Sequence, residues 1–309
     1  MTIPERIFYK YSNTREYSLD ALRNKYMYFS RPSELNDPED CRIPVELKSD
    51  DKHYLQWILH AKKLHKLTTR KKVDVYPIDT VAKLKYQLVT NSTFCKGLKE
   101  IAKETIELFH IYSMSETNTN RYLWSSEDYN TDFSGFCLGF KTYQFRLTEG
   151  DKTIFVPTKI ENTNNKFPYF LKSSDAVYSC FVLKKVEYDN DGNHFYNVFE
   201  NTYDKNHMLK NAVNDKNKEN IEYNFFHKTQ RWQKEEEWRG FYITNDKKDS
   251  KIYFPDCILD SVTFGYKIEK TKKEEILEII KKNFSNFKEI KLLTASPKNA
   301  DGVEIKSVI

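Results

Sequence analysis

The sequence predicts a single α+β domain, residues 1–309, and three observations lead to this fold class. Segments rich in aromatic and β-branched residues occur at the beginning and in the second half of the chain, as is typical of β-strands. Between them, residues 50–110 place apolar side chains at helical spacing, which predicts a helical insertion. No linker rich in proline, glycine or serine separates these parts, so one core carrying an insertion fits better than two independent domains.

The first elements follow from local composition. The chain opens with a strand over residues 6–11, followed by a short helix over residues 18–24 whose N-cap is Ser18, and a second strand over residues 26–30. The prolines in residues 31–38 resist continued regular structure, so this segment is predicted to be a loop.

The helical insertion carries a run of positive charge. No acidic residue lies between Lys52 and Val73. Such a face either contacts RNA or DNA or is a solvated lysine face, and both interpretations stay open. The side chains that would contact nucleic acid are Lys62, Lys63, Lys66, Arg70, Lys71 and Lys72.

The second half alternates between strands and polar segments. Residues 189–220 are rich in Asn and Asp and predict turns and solvated helix. An amphipathic helix is expected through residues 274–280, between the last two strands. The predicted strands span residues 111–115, 136–140, 181–188, 238–244, 258–264 and 290–294.

Composition excludes several classes of protein. The chain has 309 residues, 39% apolar and 15% aromatic, and a net charge of +5, which indicates a folded protein with a sizeable core. The longest apolar runs are too short to span a membrane, and Pro4, Glu5 and Arg6 stand where a signal peptide is apolar. We therefore expect a cytoplasmic protein without a membrane partner.

Glycine, cysteine and histidine patterns narrow the chemistry. The eight glycines form neither GxGxxG nor GxxxxGK[ST], which disfavours an ordinary Rossmann dehydrogenase or a P-loop NTPase. The five widely spaced cysteines predict reduced thiols, because they form neither a disulfide framework nor a CxxC pair. No HExxH pair occurs among the seven histidines, so a zinc hydrolase is also disfavoured, and no metal ligands are assigned.

The strongest chemical signal lies between Trp232 and Arg239. If Glu237 begins a strand, the two-residue period places its carboxylate on the same face as Arg239, with Trp238 on the opposite face. A fixed carboxylate beside a fixed guanidinium is either a functional pair or a structural ion pair, and the residues alone favour the structural one.

A second acidic group follows the second strand. Asp37 either accepts backbone hydrogen bonds in an Asx turn, which is the favoured interpretation, or joins Glu39 and Asp40 in holding a divalent cation.

Tyrosines at alternating positions form a third set. Such residues share one face of a strand, where they pack in the core by default or form an aromatic wall for a planar ligand. Lys10 and Arg31 would then place positive charge nearby. The tyrosines are Tyr9, Tyr11, Tyr26 and Tyr28.

Taken together, these positions resemble a bacterial domain-of-unknown-function family. Its pattern is an early YKY, an FNDPFE-like turn, a central S…MW…Y…G segment and a late W..E.EWR, and the chain follows this order over nearly its whole length. The matching residues are Tyr9-Lys10-Tyr11, Leu35-Asn36-Asp37-Pro38-Glu39, Ser113 with Trp124, Tyr129 and Gly135, and Trp232, Glu235, Glu237, Trp238 and Arg239. The chain departs from the pattern at Leu35, Leu123 and Asp128, where Phe, Met and His are usual.

The resemblance implies a fold and an activity. Members of the family occur around phage-defence and toxin loci, and the arrangement of motifs looks like that of ADP-ribosyltransferases. This implies a mixed or antiparallel split sheet that binds NAD, as a substrate, without a glycine-rich loop. It further implies an effector or toxin that transfers ADP-ribose to a macromolecule, with nucleic acid as a candidate acceptor and an antitoxin protein as a candidate partner.

Each candidate residue has an expected role in this reaction. Glu237 is the expected catalytic carboxylate, and Glu235 is the reserve. The residues expected to bind NAD are Tyr9, Lys10, Tyr11, Tyr28, Ser30, Arg31, Asn36, Trp124 and Arg239.

Two other functions stay open at this point. A metal-dependent nuclease would combine Asp37, Glu39 or Asp40 with Glu235 or Glu237. The third interpretation is a non-catalytic module that binds nucleic acid or a partner protein.

Overall fold

The chain forms two compact units. The computed structural model describes residues 6–37, 39–67, 78–126, 132–146, 153–156, 171–172, 178–179, 182–189, 194–200, 215–243, 250–254, 256–299 and 302–308. The first unit, here called the sheet unit, comprises Met1–Asn36, Phe109–Tyr188 and Lys228–Ile309. The second, here called the helical unit, comprises Asp37–Leu108 and Asp189–His227. Most of the segment expected as a helical insertion lies in the helical unit.

Strands and helices both contribute to the fold, which is mixed α+β. The strands are β1 (Arg6–Ser12), β2 (Tyr26–Tyr28), β3 (Val45–Glu46), β4 (Phe109–Ser115), β5 (Phe136–Arg146), β6 (Thr153–Val156), β7 (Leu171–Lys172), β8 (Tyr178–Ser179), β9 (Val182–Lys185), β10 (Glu187–Tyr188), β11 (Tyr196–Asn197), β12 (His227–Lys228), β13 (Glu237–Ile243), β14 (Lys251–Tyr253), β15 (Leu259–Gly265), β16 (Lys291–Pro297) and β17 (Val303–Ser307). The helices are α1 (Glu16–Arg23), α2 (Asp51–Leu67), α3 (Val81–Thr90), α4 (Ser92–Ile106), α5 (Arg121–Ser125), α6 (Asp215–Phe226) and α7 (Lys270–Asn283). Among the helices of the described ranges, none combines the length and the apolar character needed to cross a bilayer.

A large mixed sheet dominates the sheet unit. Its strand order is β17-β16-β15-β5-β1-β4-β13-β9, and β6 pairs with β5. β15 and β16 are parallel because α7 provides the crossover connection that parallel neighbours need. The other strand pairs described in this sheet are antiparallel. The mixed sheet therefore confirms the α+β class.

The two faces of this sheet are covered differently. Phe8 and Phe140 lie in a core that includes Leu19 and Leu22 of α1 and Ile276 of α7. The opposite face carries a smaller core, whose buried members are Tyr11, Leu123, Trp124, Phe133, Cys137 and Ala295. Because side chains alternate along a strand, β1 contributes to both cores.

β1 and β4 separate in the middle of the sheet. β1 pairs with β5 at every residue from Arg6 to Ser12, but its described pairing with β4 consists of Tyr9 opposite Ser115 alone. The Lys10 ammonium donates a hydrogen bond to the Ser113 carbonyl oxygen at 2.9 Å. A long side chain therefore connects the two backbones where a strand ladder would otherwise continue.

Two predicted elements differ in detail. α1 begins at Glu16, and Ser18 lies inside it, with its hydroxyl donating to Asn13 Oδ1. The Asn13 side chain also accepts from the Arg15 backbone amide, and this turn starts the helix before Ser18. The strand predicted over residues 181–188 is interrupted at Val186, which gives β9 and β10.

The helical unit has its own aromatic core. Trp57 of α2 lies edge-on to Phe94 of α4 and to Phe199, with ring centroids 6.4 and 5.4 Å apart. Tyr54 also packs against Phe199, at 4.8 Å. These contacts explain why apolar residues recur at helical spacing in this part of the sequence.

A substitution of Gly265, at the end of β15, tests how closely the sheet unit is packed. A β-carbon at this position would collide with the backbone carbonyl of Phe133. We expect Gly265→Ala to lower the free energy of unfolding by at least about 2 kcal/mol in urea titrations, because a backbone group has no rotamer with which to make room. Gly302→Ala is the matched control, since its β-carbon would meet the side chain of Asn299, which can move. Equal effects of the two substitutions would contradict this packing.

Candidate functional site

Three strands bring distant residues to one face of the sheet. Tyr9 on β1 is opposite Ser115 on β4, and Ser115 is opposite Glu237 on β13. Arg239 lies two residues further along β13, so its side chain shares the face of Glu237, while Trp238 packs with the core on the other face. This confirms that Glu237 begins a strand and faces the same way as Arg239. We call this side of the sheet the carboxylate face.

The carboxylate of Glu237 is buried and fully engaged. Arg239 donates from Nε to Oε1 at 2.7 Å and from Nη2 to Oε2 at 3.0 Å, which is a bidentate pair. The Lys228 ammonium lies 2.9 Å from Oε2. Ser113 provides a further side-chain hydrogen bond. The Glu237 residue is only 5% exposed.

A second carboxylate extends this cluster. Lys228 also binds Glu235 Oε2 at 2.7 Å, and Glu235 is buried. Glu235 ends a 3₁₀ helix, Gln230–Glu235, and lines the same small cavity as Glu237. Asn120 holds this helix in place by donating to the carbonyl oxygens of Lys234 at 2.9 Å and Glu235 at 3.2 Å.

The surroundings of Glu237 keep it ionised. Burial alone would raise the pKa of this carboxyl. The charges of Arg239 and Lys228, together with hydrogen bonds from Arg239 and Ser113, outweigh burial and hold the pKa of Glu237 well below its usual range. Glu237 is therefore a permanent anion near neutral pH, suited to stabilise positive charge and unsuited to accept a proton.

Lys10 occupies the gap between β1 and β4. Its ammonium lies 4.7 Å from the centre of the Tyr112 ring and donates to the Ser113 carbonyl. Burial lowers the pKa of Lys10 to about 8, although the charge of Glu237 acts in the opposite direction. Lys10 is therefore a cation that titrates close to physiological pH.

The buried and partly buried charged groups of this cluster, which leave out the exposed Glu236, sum to a positive excess. Three cations stand against two carboxylates, which leaves 3 − 2 = +1. A net positive, partly buried cluster favours an anionic ligand. The five groups are Lys10, Lys228, Arg239, Glu235 and Glu237.

A small cavity among the described residues is lined by both carboxylates of this cluster. Its volume is about 20 Å³, which is room for about one water molecule. A larger ligand would therefore need the 3₁₀ helix that ends at Glu235 to move. The cavity is lined by Tyr9, Lys10, Tyr11, Ser113, Met114, Leu123, Glu235 and Glu237.

Two of the predicted ligand-binding aromatics have packing roles here. Trp124 is fully buried, packs edge-on against Tyr11 with ring centroids 5.2 Å apart, and donates to the Asn118 carbonyl oxygen at 2.7 Å. The Tyr11 hydroxyl donates to the Thr117 carbonyl oxygen at 2.9 Å and accepts from the backbone amide of Asn120 at 3.1 Å. These contacts fix the loop that precedes α5.

The remaining predicted residues are not among those that line the small cavity beside Glu237. Tyr28 and Ser30 line a second cavity, on the face of the sheet covered by α1. Arg31 lies beside Glu34, with Nε 3.6 Å from Oε1. Asn36 is an exposed residue at the end of the first segment of the sheet unit.

The acidic turn belongs to the helical unit. Asp37 Oδ1 accepts from the Glu39 backbone amide at 2.9 Å, which confirms the Asx turn. In the part of the chain that the structure describes, no three His, Cys, Asp or Glu side chains come together as a potential metal site.

The basic segment is only partly described. Lys62, Lys63 and Lys66 belong to α2, but their side chains lie outside the described residues, as do residues 68–77 with Arg70, Lys71 and Lys72. Tyr129 of the central motif also lies outside them.

Sequence reasoning missed the groups that complete the cluster. Lys228 begins a polar stretch without any motif, and Asn120 and Tyr188 are ordinary loop or strand-end residues in the sequence. Tyr188 accepts a hydrogen bond from the Glu237 backbone amide at 2.9 Å. A predicted strand pairing would have indicated that such partners exist, because a buried carboxylate requires more partners than its own strand supplies.

Comparisons of the chain with protein-family models, with curated proteins and with solved structures give no match in any of the three.

The buried pairing of Glu237 predicts a large effect of its neutralisation. Glu237→Gln leaves Arg239 and Lys228 with an uncompensated buried charge, so we expect the free energy of unfolding at pH 7 to fall by about 3–5 kcal/mol in urea titrations. The matched control is Glu236→Gln, because Glu236 is exposed and adjacent in the same acidic triplet. The control should change the free energy of unfolding by less than about 0.5 kcal/mol.

The same pairing sets the dependence on pH. The folded-state pKa of Glu237 lies below its ordinary value of 4.5, so its stabilisation is present above that pH and declines as the pH falls further. The stability difference between the wild type and Glu237→Gln should therefore shrink between about pH 5 and pH 3. A difference that stays constant over this range would show that Glu237 is not held as an ion.

Proposed function

We propose that the protein is an NAD-consuming enzyme of the ADP-ribosyltransferase type that acts as an effector or toxin in anti-phage defence. One observation carries the proposal. β1, β4 and β13 bring Lys10, Ser113 and the permanently ionised Glu237 to one point, where two strands of the sheet separate. The family resemblance and the absence of a glycine-rich loop motif from the sequence agree with NAD binding as in ADP-ribosyltransferases. We also propose that the sheet is a split sheet of the ADP-ribosyltransferase kind.

The reaction is cleavage of the bond between nicotinamide and ribose. As this bond breaks, its electron pair returns to the pyridinium ring, which leaves as neutral nicotinamide. The positive charge that develops at ribose C1′ is stabilised by the Glu237 carboxylate, which hydrogen-bonds a ribose hydroxyl. A lone pair of the acceptor then bonds C1′, and the acceptor's proton is released to solvent. Glu237 takes no proton, in keeping with its lowered pKa.

Binding of NAD requires the carboxylate face to open. Lys10 has the charge to hold a pyrophosphate, and Tyr9 has an aromatic ring for nicotinamide. Arg239, whose Nε and Nη2 are bound to Glu237, keeps that carboxylate in place. The 3₁₀ helix that precedes Glu237 is held to the remainder of the unit by Asn120 and by the Lys228 ion pairs. We propose that NAD replaces Lys228 as a partner of Glu237 when this helix moves aside.

A second candidate is a non-catalytic binding module, and a specific observation favours it. Both oxygens of Glu237 already accept from Arg239, and Lys228 and Ser113 add further contacts, which is the arrangement of a purely structural ion cluster. In this alternative the cluster fixes the strands, and binding occurs elsewhere on the chain.

The enzymatic proposal predicts turnover that depends on one residue of the acidic triplet. We expect the protein to release nicotinamide from NAD labelled in the adenine moiety and to transfer the label to a component of a bacterial lysate. Glu237→Gln should lower nicotinamide release at least about 100-fold, because it removes the charge that stabilises the transition state. Release should be measured by chromatography and transfer by retained label.

Variants within the triplet separate catalysis from folding. Glu236→Gln should retain full activity. Glu237→Asp keeps the negative charge but withdraws it by one methylene, so it should remain folded in a thermal melt and still lose most of its activity. Equal activity of the wild type, Glu237→Gln and Glu237→Asp would refute Glu237 as the catalytic carboxylate. If neither the wild type nor any variant releases nicotinamide, the result would favour the non-catalytic binding module.

The basic segment gives the nucleic-acid proposal its own prediction. If Lys62, Lys63 and Lys66 bind phosphates, replacing all three with Gln should weaken binding of a single-stranded RNA or DNA oligonucleotide and flatten its salt dependence. The slope of log affinity against log salt should fall by about 0.7 for each lysine that neutralises a phosphate in the wild type. Fluorescence anisotropy at several salt concentrations measures this slope. An unchanged slope would place any nucleic-acid site elsewhere.

A further inference from the structure

We infer that the cavity between α1 and the large sheet is a binding site for a nucleoside monophosphate, with the phosphate at Lys10 and the base between the tyrosines of its mouth. We call this space the tyrosine cavity. Its volume is about 540 Å³, within the range of about 300–1,000 Å³ that is typical of small-molecule sites. The cavity lies on the face opposite Glu237 and shares Lys10 with the proposed NAD site, so the inference is tested by ligand binding, a readout separate from nicotinamide release.

The walls of the cavity suit a flat, largely apolar group. The inner wall is formed by Leu138 and Phe140 of β5 and by Tyr112 of β4. At the mouth, Tyr17 is 59% exposed and Tyr28 is 43% exposed, although both are large aromatic residues. Exposed aromatic rings at the mouth of an apolar cavity are stacking surfaces for a nucleobase.

Positive charge lies at the inner end of the cavity. Lys10 has three protons to donate, and the Ser113 carbonyl oxygen takes one of them. Lys251 also lines the cavity, but its ammonium lies 3.8 Å from Asp20 and 4.2 Å from the Tyr26 ring centre, so it is already paired. Lys10 is therefore the better partner for an anionic group.

The charged groups nearer the mouth are already paired, and this orients the ligand. Glu34 accepts from the Tyr28 hydroxyl at 3.1 Å and lies 3.6 Å from Arg31 Nε. A phosphate would therefore find its cationic partner in Lys10, at the inner end. The lining also includes the hydroxyl-bearing residues Ser12, Ser18 and Ser30, which suit the polar ribose.

The ionisation of Lys10 gives the site a pH dependence. The groups that face Lys10 are Glu237 on β13, the Cys137 thiol on β5 and the Tyr112 ring on β4. Burial raises the pKa of the Cys137 thiol well above its usual range, so the thiol is neutral where Lys10 titrates. Because burial outweighs the charge of Glu237, the pKa of Lys10 is about 8. The phosphate of a monophosphate is a dianion above about pH 6, so its charge is constant in the range in which Lys10 titrates.

Calorimetric titration of the full chain with three probes tests the site. Adenosine 5′-monophosphate contains ring and phosphate, adenosine lacks the phosphate, and ribose 5-phosphate lacks the ring. We expect the monophosphate to bind at least about 10-fold more tightly than either fragment. Its affinity should fall as the pH rises from 7 to 9, while that of adenosine should stay constant.

Variants assign the binding to the tyrosine cavity. Lys10→Met should weaken monophosphate binding about 10- to 100-fold without affecting adenosine, because it removes a charge-assisted hydrogen bond. Tyr28→Ala should weaken both ligands about 5- to 100-fold, because it removes a stacking surface. Tyr86→Ala is the matched control, since Tyr86 is an exposed tyrosine of the helical unit that does not line this cavity. It should leave both affinities unchanged.

Three outcomes would overturn the inference. These are no heat of binding with any probe at millimolar concentration, equal affinity for adenosine and its monophosphate, or monophosphate binding that Tyr28→Ala and high pH both leave unchanged. If Lys10→Met fails to fold, the pH titration of the wild type and the exposed Tyr28→Ala variant still decide the question. Nicotinamide release from NAD is a separate readout, so failure of this site and failure of the proposed enzyme are distinguishable.

Discussion

The separation of β1 from β4 is the constraint on which the arrangement of charges in the sheet unit depends. Where two strands stop pairing, their backbone groups need other partners, and the Lys10 ammonium supplies one by binding the Ser113 carbonyl. A cation in that position requires a nearby anion, and the next strand provides Glu237. Glu237 in turn is held by Arg239 from its own strand and by Lys228. The cluster is thus built outward from a gap in the backbone ladder.

Such a cluster stabilises a fold inefficiently, because burying charges costs free energy. Several ionised groups leave water, and well-packed apolar side chains of the same volume often stabilise a fold equally well or better. The excess of one positive charge adds to this cost. A fold that needed only stability would often do equally well without such a cluster, so a requirement for charge at this point is one explanation of its presence. Binding of an anion provides such a requirement, because the anion would neutralise the excess.

The sequence was sufficient to predict those parts of this arrangement that depend on the local spacing of side chains and on composition. The two-residue period of a strand was enough to predict that Glu237 and Arg239 share one face of the strand and that Trp238 lies on the opposite face, where it packs against the core. It also grouped Tyr9 with Tyr11, but it could not show that Tyr28 belongs to a cavity on the opposite face, because that follows from how β2 is positioned against β14 and the main sheet. The roles of Lys228 and Asn120 could not be predicted for the same reason. Their roles come from tertiary contacts, and no local pattern marks them.

Lys10 is the residue through which the two faces of the sheet can influence each other. It lines both the small cavity beside Glu237 and the tyrosine cavity on the other side, because the gap between β1 and β4 leaves its side chain accessible from both. An anion that draws the ammonium toward the tyrosine cavity would weaken its interaction with Glu237, and under the proposed mechanism this would change the free energy of opening the carboxylate face. Thermodynamic linkage makes this influence reciprocal. A change that opens the carboxylate face would therefore alter affinity in the tyrosine cavity by the same factor, and a lysine with a pKa of about 8 would make both events sensitive to pH in the same range.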